Sequence, residues 1–165
     1  MLTEEQVGVL LKQIAPSRVA VVQGMSHVEG YDIRATLIRM FGFANWDEVA
    51  VEPATLLYEI PTQTKAGKEA FLVAYRASRR LTIRDFEGRH LAVYEGTAVG
   101  ESTMPDFKRG DCHDMAVKTA ETQALKRAAT NLGDQFGLSL YKKGQLSPLV
   151  RKVVGHTPPV TNGDD

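Results

Sequence analysis

A single cysteine, Cys112, stands among 165 residues, so no internal disulfide framework can hold this chain together, and a reducing compartment suits it. No apolar run approaches the ~18 residues that a membrane-crossing helix needs. The opening MLTEEQVG carries acidic residues where an export signal carries basic ones, so a cytoplasmic location is expected. There is no GxxxxGK[ST] phosphate loop, no GxSxG and no HExxH, and Gly67-Lys68 lacks both the earlier glycine and the following hydroxyl. The histidines His27, His90, His113 and His156 share no metal spacing. Within Asp111-Cys112-His113-Asp114, neighbouring side chains at a helix start diverge, which fits neither a metal site nor a nucleophile–base pair. These absences predict a protein that is not an enzyme and uses neither cofactor nor metal. Net charge is zero, which excludes a simple polybasic nucleic-acid binder.

The charge that is present is unevenly spread. Residues 1–60 hold four basic and eight acidic residues, residues 65–90 seven basic and three acidic, and residues 118–152 seven basic and two acidic. Two basic regions in a neutral chain suit a localised anion groove or, equally, subunits that pack through opposite charges.

The hydrophobic pattern predicts an α+β fold. Thr3-Glu4-Glu5-Gln6 is a capping box for a first helix from Thr3 to about Ile14, ended by Pro16. Residues 17–30 read as irregular, with Gly24 and Gly30 as turn points, and a second helix covers Tyr31 to Phe41 and stops at Gly42. Trp46 to Ile60 reads as a strand that Pro53 restricts to an edge or bulge, and Pro61 to Gly67 as a turn. From Lys68 to Ile83, Phe71, Val73, Tyr75, Ala77, Leu81 and Ile83 alternate with polar residues; only Arg79 breaks the pattern. Asp85 to Gly88 makes a hairpin turn into a partner strand from Arg89 to Thr97, followed by a loop over 98–110. Residues 111–132, the longest run without Gly or Pro, form one helix, with Asp111 as N-cap and Gly133 as stop. Its face of Val117, Ala120, Ala124, Leu125, Ala128 and Leu132 is mostly small, so it can lie close on a three- to four-stranded antiparallel sheet. The expected folded domain is 1–146, with a flexible tail over 147–165.

Two constellations could bind an anion. Arg76, Arg80 and Arg84 lie on one strand face, and every fourth residue of a strand is spaced by ~13 Å, two nucleotide steps of a stretched single strand. A solvated face or inter-subunit salt bridges explain them as well. Lys126-Arg127 stands on the long helix, outside its apolar face. Tyr31, Phe41, Phe43 and Trp46 could stack on bases, although their spacing also suits a core.

Three blocks carry a resemblance. His27-Val28-Glu29-Gly30-Tyr31 followed by Arg39-Met40-Phe41-Gly42-Phe43-Ala44-Asn45-Trp46 resembles the N-terminal block of the Rad fifty-two/Rad twenty-two type single-strand annealing proteins. Thr122-Gln123-Ala124-Leu125-Lys126-Arg127-Ala128, with Gly133 and Gly137 after it, is similar to the family's Thr-Asp-Gly-Leu-Lys-Arg-Ala segment, and Pro16-Ser17-Arg18-Val19 to its Ser-Ser-Arg-Met. The resemblance covers about residues 10–145. It implies a β-β-β-α core with N-terminal helices, assembled into a homo-oligomeric ring with a basic groove, that pairs complementary strands of single-stranded DNA without ATP. Carried over residue by residue, Arg18, Lys126 and Arg127 would contact DNA at an inner site and Lys143 at an outer one. His27 stands where the family has an aromatic, and Thr130 where it has a third inner arginine, a loss that Arg76 or Arg80 would offset. Lys108 and Arg109 would supply the outer-site cation. The long C-terminal region of the family is absent from this sequence, so the short form resembles phage or bacterial annealing proteins, with a single-strand-binding protein as a possible partner. A ring-forming structural oligomer or recombination accessory module without direct DNA binding is the alternative.

Overall fold

A computed structural model describes residues 1–155; of the tail expected from Ser147, residues 156–165 lie outside the described residues. The core is a three-stranded antiparallel sheet in the order β3 (Trp46–Gln63), β4 (Glu69–Arg84), β5 (His90–Pro105), with the long helix α3 (Arg109–Ala129) across one face. A short helix α1 (Glu4–Leu10), a hairpin of β1 (Val19–Val22) and β2 (Met25–Val28), and a helix α2 (Gly30–Phe41) precede it. The α+β layout and the sheet packed by one long helix are therefore as expected, with three strands in the sheet.

Local chemistry explains the elements and the departures. Thr3 caps α1 as foreseen: its Oγ1 accepts from Gln6 N at 3.1 Å, and its own N–H donates to Gln6 Oε1 at 2.8 Å. The helix stops at Leu10 rather than Ile14. The Lys12 and Gln13 carbonyls accept instead from the Gln135 amide, at 2.7 and 3.1 Å, while Ile14 drops fully into the core. The stretch read as irregular is a hairpin. Gln23 and Gly24 both take positive φ, 51° and 77°, the pair of left-handed residues that a tight two-residue turn requires. A glutamine is a poor advertisement for that turn. Pro61 does not turn the chain either. It stays in β3 opposite Phe71, where an edge strand tolerates the missing N–H, and the reversal comes at Thr64–Lys68.

The largest departure is β5, which runs on through the segment read as a loop. Gly100 was read as part of the loop and Gly96 as part of the strand; both are strand residues whose missing side chains make room for α3. A Cβ on Gly96 would lie 2.6 Å from Ala128 N and closer still to the Ala124 carbonyl oxygen. One on Gly100 would lie 2.9 Å from Ala120 Cα and closer still to Ala120 N and the Ala116 carbonyl. Ala116, Ala120, Ala124 and Ala128, four residues apart, are all fully buried along this contact. The expected small-residue face is therefore real, and it meets glycine, so backbone rests on backbone. Helix α3 begins two residues before Asp111, with Lys108 as N-cap, and ends at Ala129; one turn of tighter helix, Thr130–Leu132, carries the chain to Gly133 at φ 102°.

A larger apolar cluster joins Ile33, Leu37 and Phe41 of α2 to Leu81 and Ile83 of β4, Leu125 of α3 and Phe136 beyond it. The buried Asp134 carboxylate takes the backbone N–H groups of Leu149 and Val150, at 2.9 and 3.1 Å, which fastens the chain after the last turn.

Candidate functional site

The end of α3 presents Lys126 and Arg127, and its contact with β5 fixes where they stand. Arg127 is exposed, and its Nη1 donates to the Thr97 carbonyl of β5 at 2.6 Å, tying the guanidinium stem to the sheet rim. Lys126 is half-buried. That burial holds its ammonium below the ordinary lysine value, against the opposing pull of the Glu29 carboxylate. Thr130 donates its hydroxyl proton to the Lys126 carbonyl at 2.7 Å, so it supports the helix end but adds no charge. Two cations in the last turn also complement the helix dipole.

Above Lys126 opens a cavity of about 710 Å³. Three separated segments build it: the β1–β2 hairpin with Val22, Met25 and His27, the helix end with Gln123, Lys126 and Thr130, and the turns after it with Phe136, Tyr141 and Lys143. His27 Nε2 lies 3.0 Å from Glu29 Oε1, a geometry in which the imidazole donates. Lys143 sits at φ 56°, a left-handed conformation that costs a side-chain-bearing residue roughly 1–2 kcal/mol. Gly144 N–H to Leu140 O at 2.8 Å and Lys142 N–H to Ser139 O at 3.0 Å hold the turn in that shape. A second, open depression of about 410 Å³ adjoins it, lined by Arg127, Thr130, Asn131, Leu138 and Tyr141.

Of the residues singled out in the sequence, the structure thus gathers His27, Lys126 and Lys143 around one cavity and sets Arg127 beside it. The others stand elsewhere. Arg18 has its guanidinium committed inside the fold: Nη2 donates to Asp32 Oδ2 at 2.7 Å, to Thr36 Oγ1 at 2.7 Å and to Gln135 O at 2.9 Å, while Nη1 donates to Gln135 Oε1 at 2.8 Å. Its side chain is only 16% exposed and that of Asp32 12%. Arg76 and Arg80 lie on the sheet face away from α3, paired across strands with Glu52 at 3.2 Å and Glu95 at 2.7 Å, and Arg84 pairs with Asp47. Arg79, which broke the alternation, is on the helix side and paired with Glu121 of α3 and, at 3.7 Å, with Glu48. Lys108 and Arg109 begin α3; a helix rises ~1.5 Å per residue, so about 25 Å separates them from Lys126. Arg109 is paired with Glu59, and its guanidinium carbon stands 4.2 Å from the centre of the Phe71 ring.

Sequence reasoning missed the apolar wall of Val22 and Met25, since it read no hairpin there, and it assigned no role to Tyr141. A Tyr-Lys-Lys run bracketed by glycines was the available signal. Among the described residues no helix is long and apolar enough to cross a membrane. The chain matches the model of the Rad52/22 family of double-strand break repair proteins over residues 10–154. No curated protein matches the sequence.

Proposed function

Since the chain belongs to the Rad52/22 family of double-strand break repair proteins, with nearly its whole length inside the match, and so to DNA repair and recombination, we propose that it binds single-stranded DNA along the cavity at the end of α3 and anneals complementary strands without ATP. The observation that carries this reading is the convergence of Lys126, Lys143 and His27 from three distant segments on one cavity, with Arg127 continuing the positive edge. Backbone phosphates lie along Lys126, Lys143 and Arg127, a contact that is independent of sequence and sensitive to salt. Base pairing itself supplies the free energy of annealing. Subunits arranged in a ring join the grooves end to end, and avidity then makes up for weak single contacts. Arg18 serves as a brace beneath the site, and Lys108 and Arg109, one helix length away, serve as a second contact for a strand that crosses the helix. In this reading the protein works in a bacterial cytoplasm or a phage-infected host, with a single-strand-binding protein as a partner.

The test is a fluorescence-anisotropy titration with a single-stranded oligonucleotide at several salt concentrations, beside the annealing rate of two complementary oligonucleotides and the protein's mass in solution. The Lys126→Ala/Arg127→Ala protein should keep its fold, bind more weakly and lose about 1.4 from the slope of log affinity against log salt, at ~0.7 per phosphate neutralised on a single strand. Wild-type affinity and slope in that variant would overturn the reading. The second reading, a structural oligomer without DNA contact, draws on the cross-strand ion pairs of Arg76 and Arg80 and on the half-exposed Val49, Val93 and Val99 of β3 and β5. It predicts no gel shift of the oligonucleotide even at low salt.

A further inference from the structure

Tyr141 borders both the cavity that holds Lys126 and Lys143 and the depression that holds Arg127. It is 72% exposed, and its hydroxyl has no hydrogen-bond partner among the described residues. A tyrosine costs little to bury, and both its neighbour Leu140 and Ser139 are buried, so the backbone beneath it is fixed while the ring stands free. The turn Leu138–Tyr141 is further held by Leu140 N–H to Gly137 O at 3.1 Å and Lys142 N–H to Ser139 O at 3.0 Å. The other large exposed aromatics, Tyr31, Phe43, Phe86 and Phe107, line neither depression.

Resting on the DNA-binding reading above, we infer that Tyr141 is a stacking ridge for a nucleobase of the bound single strand, with phosphates held on one side by Lys126 and Lys143 and on the other by Arg127. The chemistry needs no base identity, since every base offers a π-face. A phosphate groove alone would hold a strand in whatever stack its own bases prefer. A ring inserted between two phosphate-holding pockets interrupts that stack, so that bases on either side turn outward to an incoming strand.

The experiment compares two oligonucleotides of equal length, one of thymidines and one of abasic residues with the same phosphates. The wild-type protein should bind the thymidine strand more tightly by at least fivefold, which corresponds to the lower end, about 1 kcal/mol, of the stacking contribution of one base. Tyr141→Leu should erase the preference and leave affinity for the abasic strand unchanged, whereas Tyr141→Phe should keep both. Lys126→Ala should weaken both strands alike. Because the side chain is exposed, all Tyr141 variants should melt with the wild type, and a thermal scan checks that. A preference that survives in Tyr141→Leu, or a wild type that binds both strands equally, overturns the stacking role and leaves the groove standing. Failure of the wild type to bind either strand overturns the DNA-binding reading, and the stacking role with it.

Discussion

Replacing Gly96 or Gly100 with alanine should test the contact on which the placement of Lys126 and Arg127 depends. At each position the added methyl group would press into main-chain atoms of α3 at separations that packed carbon atoms do not adopt: within 2.6 Å of Ala128 N and 3.0 Å of Arg127 Cβ at Gly96, and within 2.9 Å of Ala120 Cα at Gly100. Overpacking costs about 1–3 kcal/mol when side chains can yield. Here the neighbours are mostly backbone, so the upper end of that range applies. Alanine also restricts the unfolded chain, which returns about 0.4–1 kcal/mol. A net loss of about 2 kcal/mol or more remains, and at ~2–4 °C per kcal/mol for a domain of this size the midpoint of thermal unfolding should fall by about 4–8 °C. The double variant should lose less than the sum, because one outward shift of the helix relieves both contacts. Gly110→Ala supplies the opposite sign. That glycine lies in the first turn of α3, and a methyl group added there would meet nothing within 4 Å, so alanine should raise stability by about 0.5–1 kcal/mol. Circular dichroism melts of these variants beside the wild type decide the matter. A Gly96→Ala protein that melts at or above the wild-type temperature refutes the backbone-on-backbone packing.

Two further outcomes follow from the site. Arg18→Ala should destabilise by about 3 kcal/mol, the lower end for a broken buried pair, because the nearly buried Asp32 keeps only the exposed Arg39, at 3.8 Å; Arg18→Lys should restore little, since a lysine cannot reproduce the forked contacts. Denaturant titration reads both. The depressed pKa of Lys126 gives a pH dependence of definite sign. Oligonucleotide affinity should fall as pH rises through its folded value, which lies below the ordinary ~10.4 of lysine. Lys126→Arg should hold its affinity across that range, as arginine stays charged. Between the folded and unfolded values the folded chain binds fewer protons than the unfolded one, so this residue's contribution to stability should rise with pH there, opposite in direction to the loss of binding.

Much of this fold is legible in the sequence because period and chemistry agree. Strand β4 alternates over nearly its whole length, α2 closes at Gly42, and the alanines of α3 announce a close neighbour. That neighbour was read as the sheet; which sheet residues meet the alanines was not. Gly100 carries the same letter as a flexible loop, and only the facing alanine ridge makes it strand, as Gly96 was already read to be. The β1–β2 hairpin was hidden in a similar way, since Gln23 takes a left-handed conformation that its side chain does not advertise. At the site, Lys126 and Arg127 were legible from their place on the helix and from resemblance. That Lys143 and His27 reach the same cavity depends on long-range packing that no local pattern encodes. Arg18 shows the converse: a cation at a family position, turned inward by Asp32, Thr36 and Gln135, which are distant in sequence.

The grip of Asp134 on Leu149 and Val150 has a bearing on how the chain can be handled. Leu149 and Val150 are held at a fixed post by Asp134, two residues in sequence from Phe136 in the cavity wall. A flexible ten-residue tag spliced on after that post explores a root-mean-square span of only ~17 Å, at 5–6 Å times the square root of its length. Confinement to so small a volume gives the tag a millimolar local concentration at the cavity mouth. An acidic tag placed there becomes a tethered competitor for the cations, whereas a protonated polyhistidine tag adds positive charge beside them, so the tag's sign of charge would enter every affinity measured on the tagged chain.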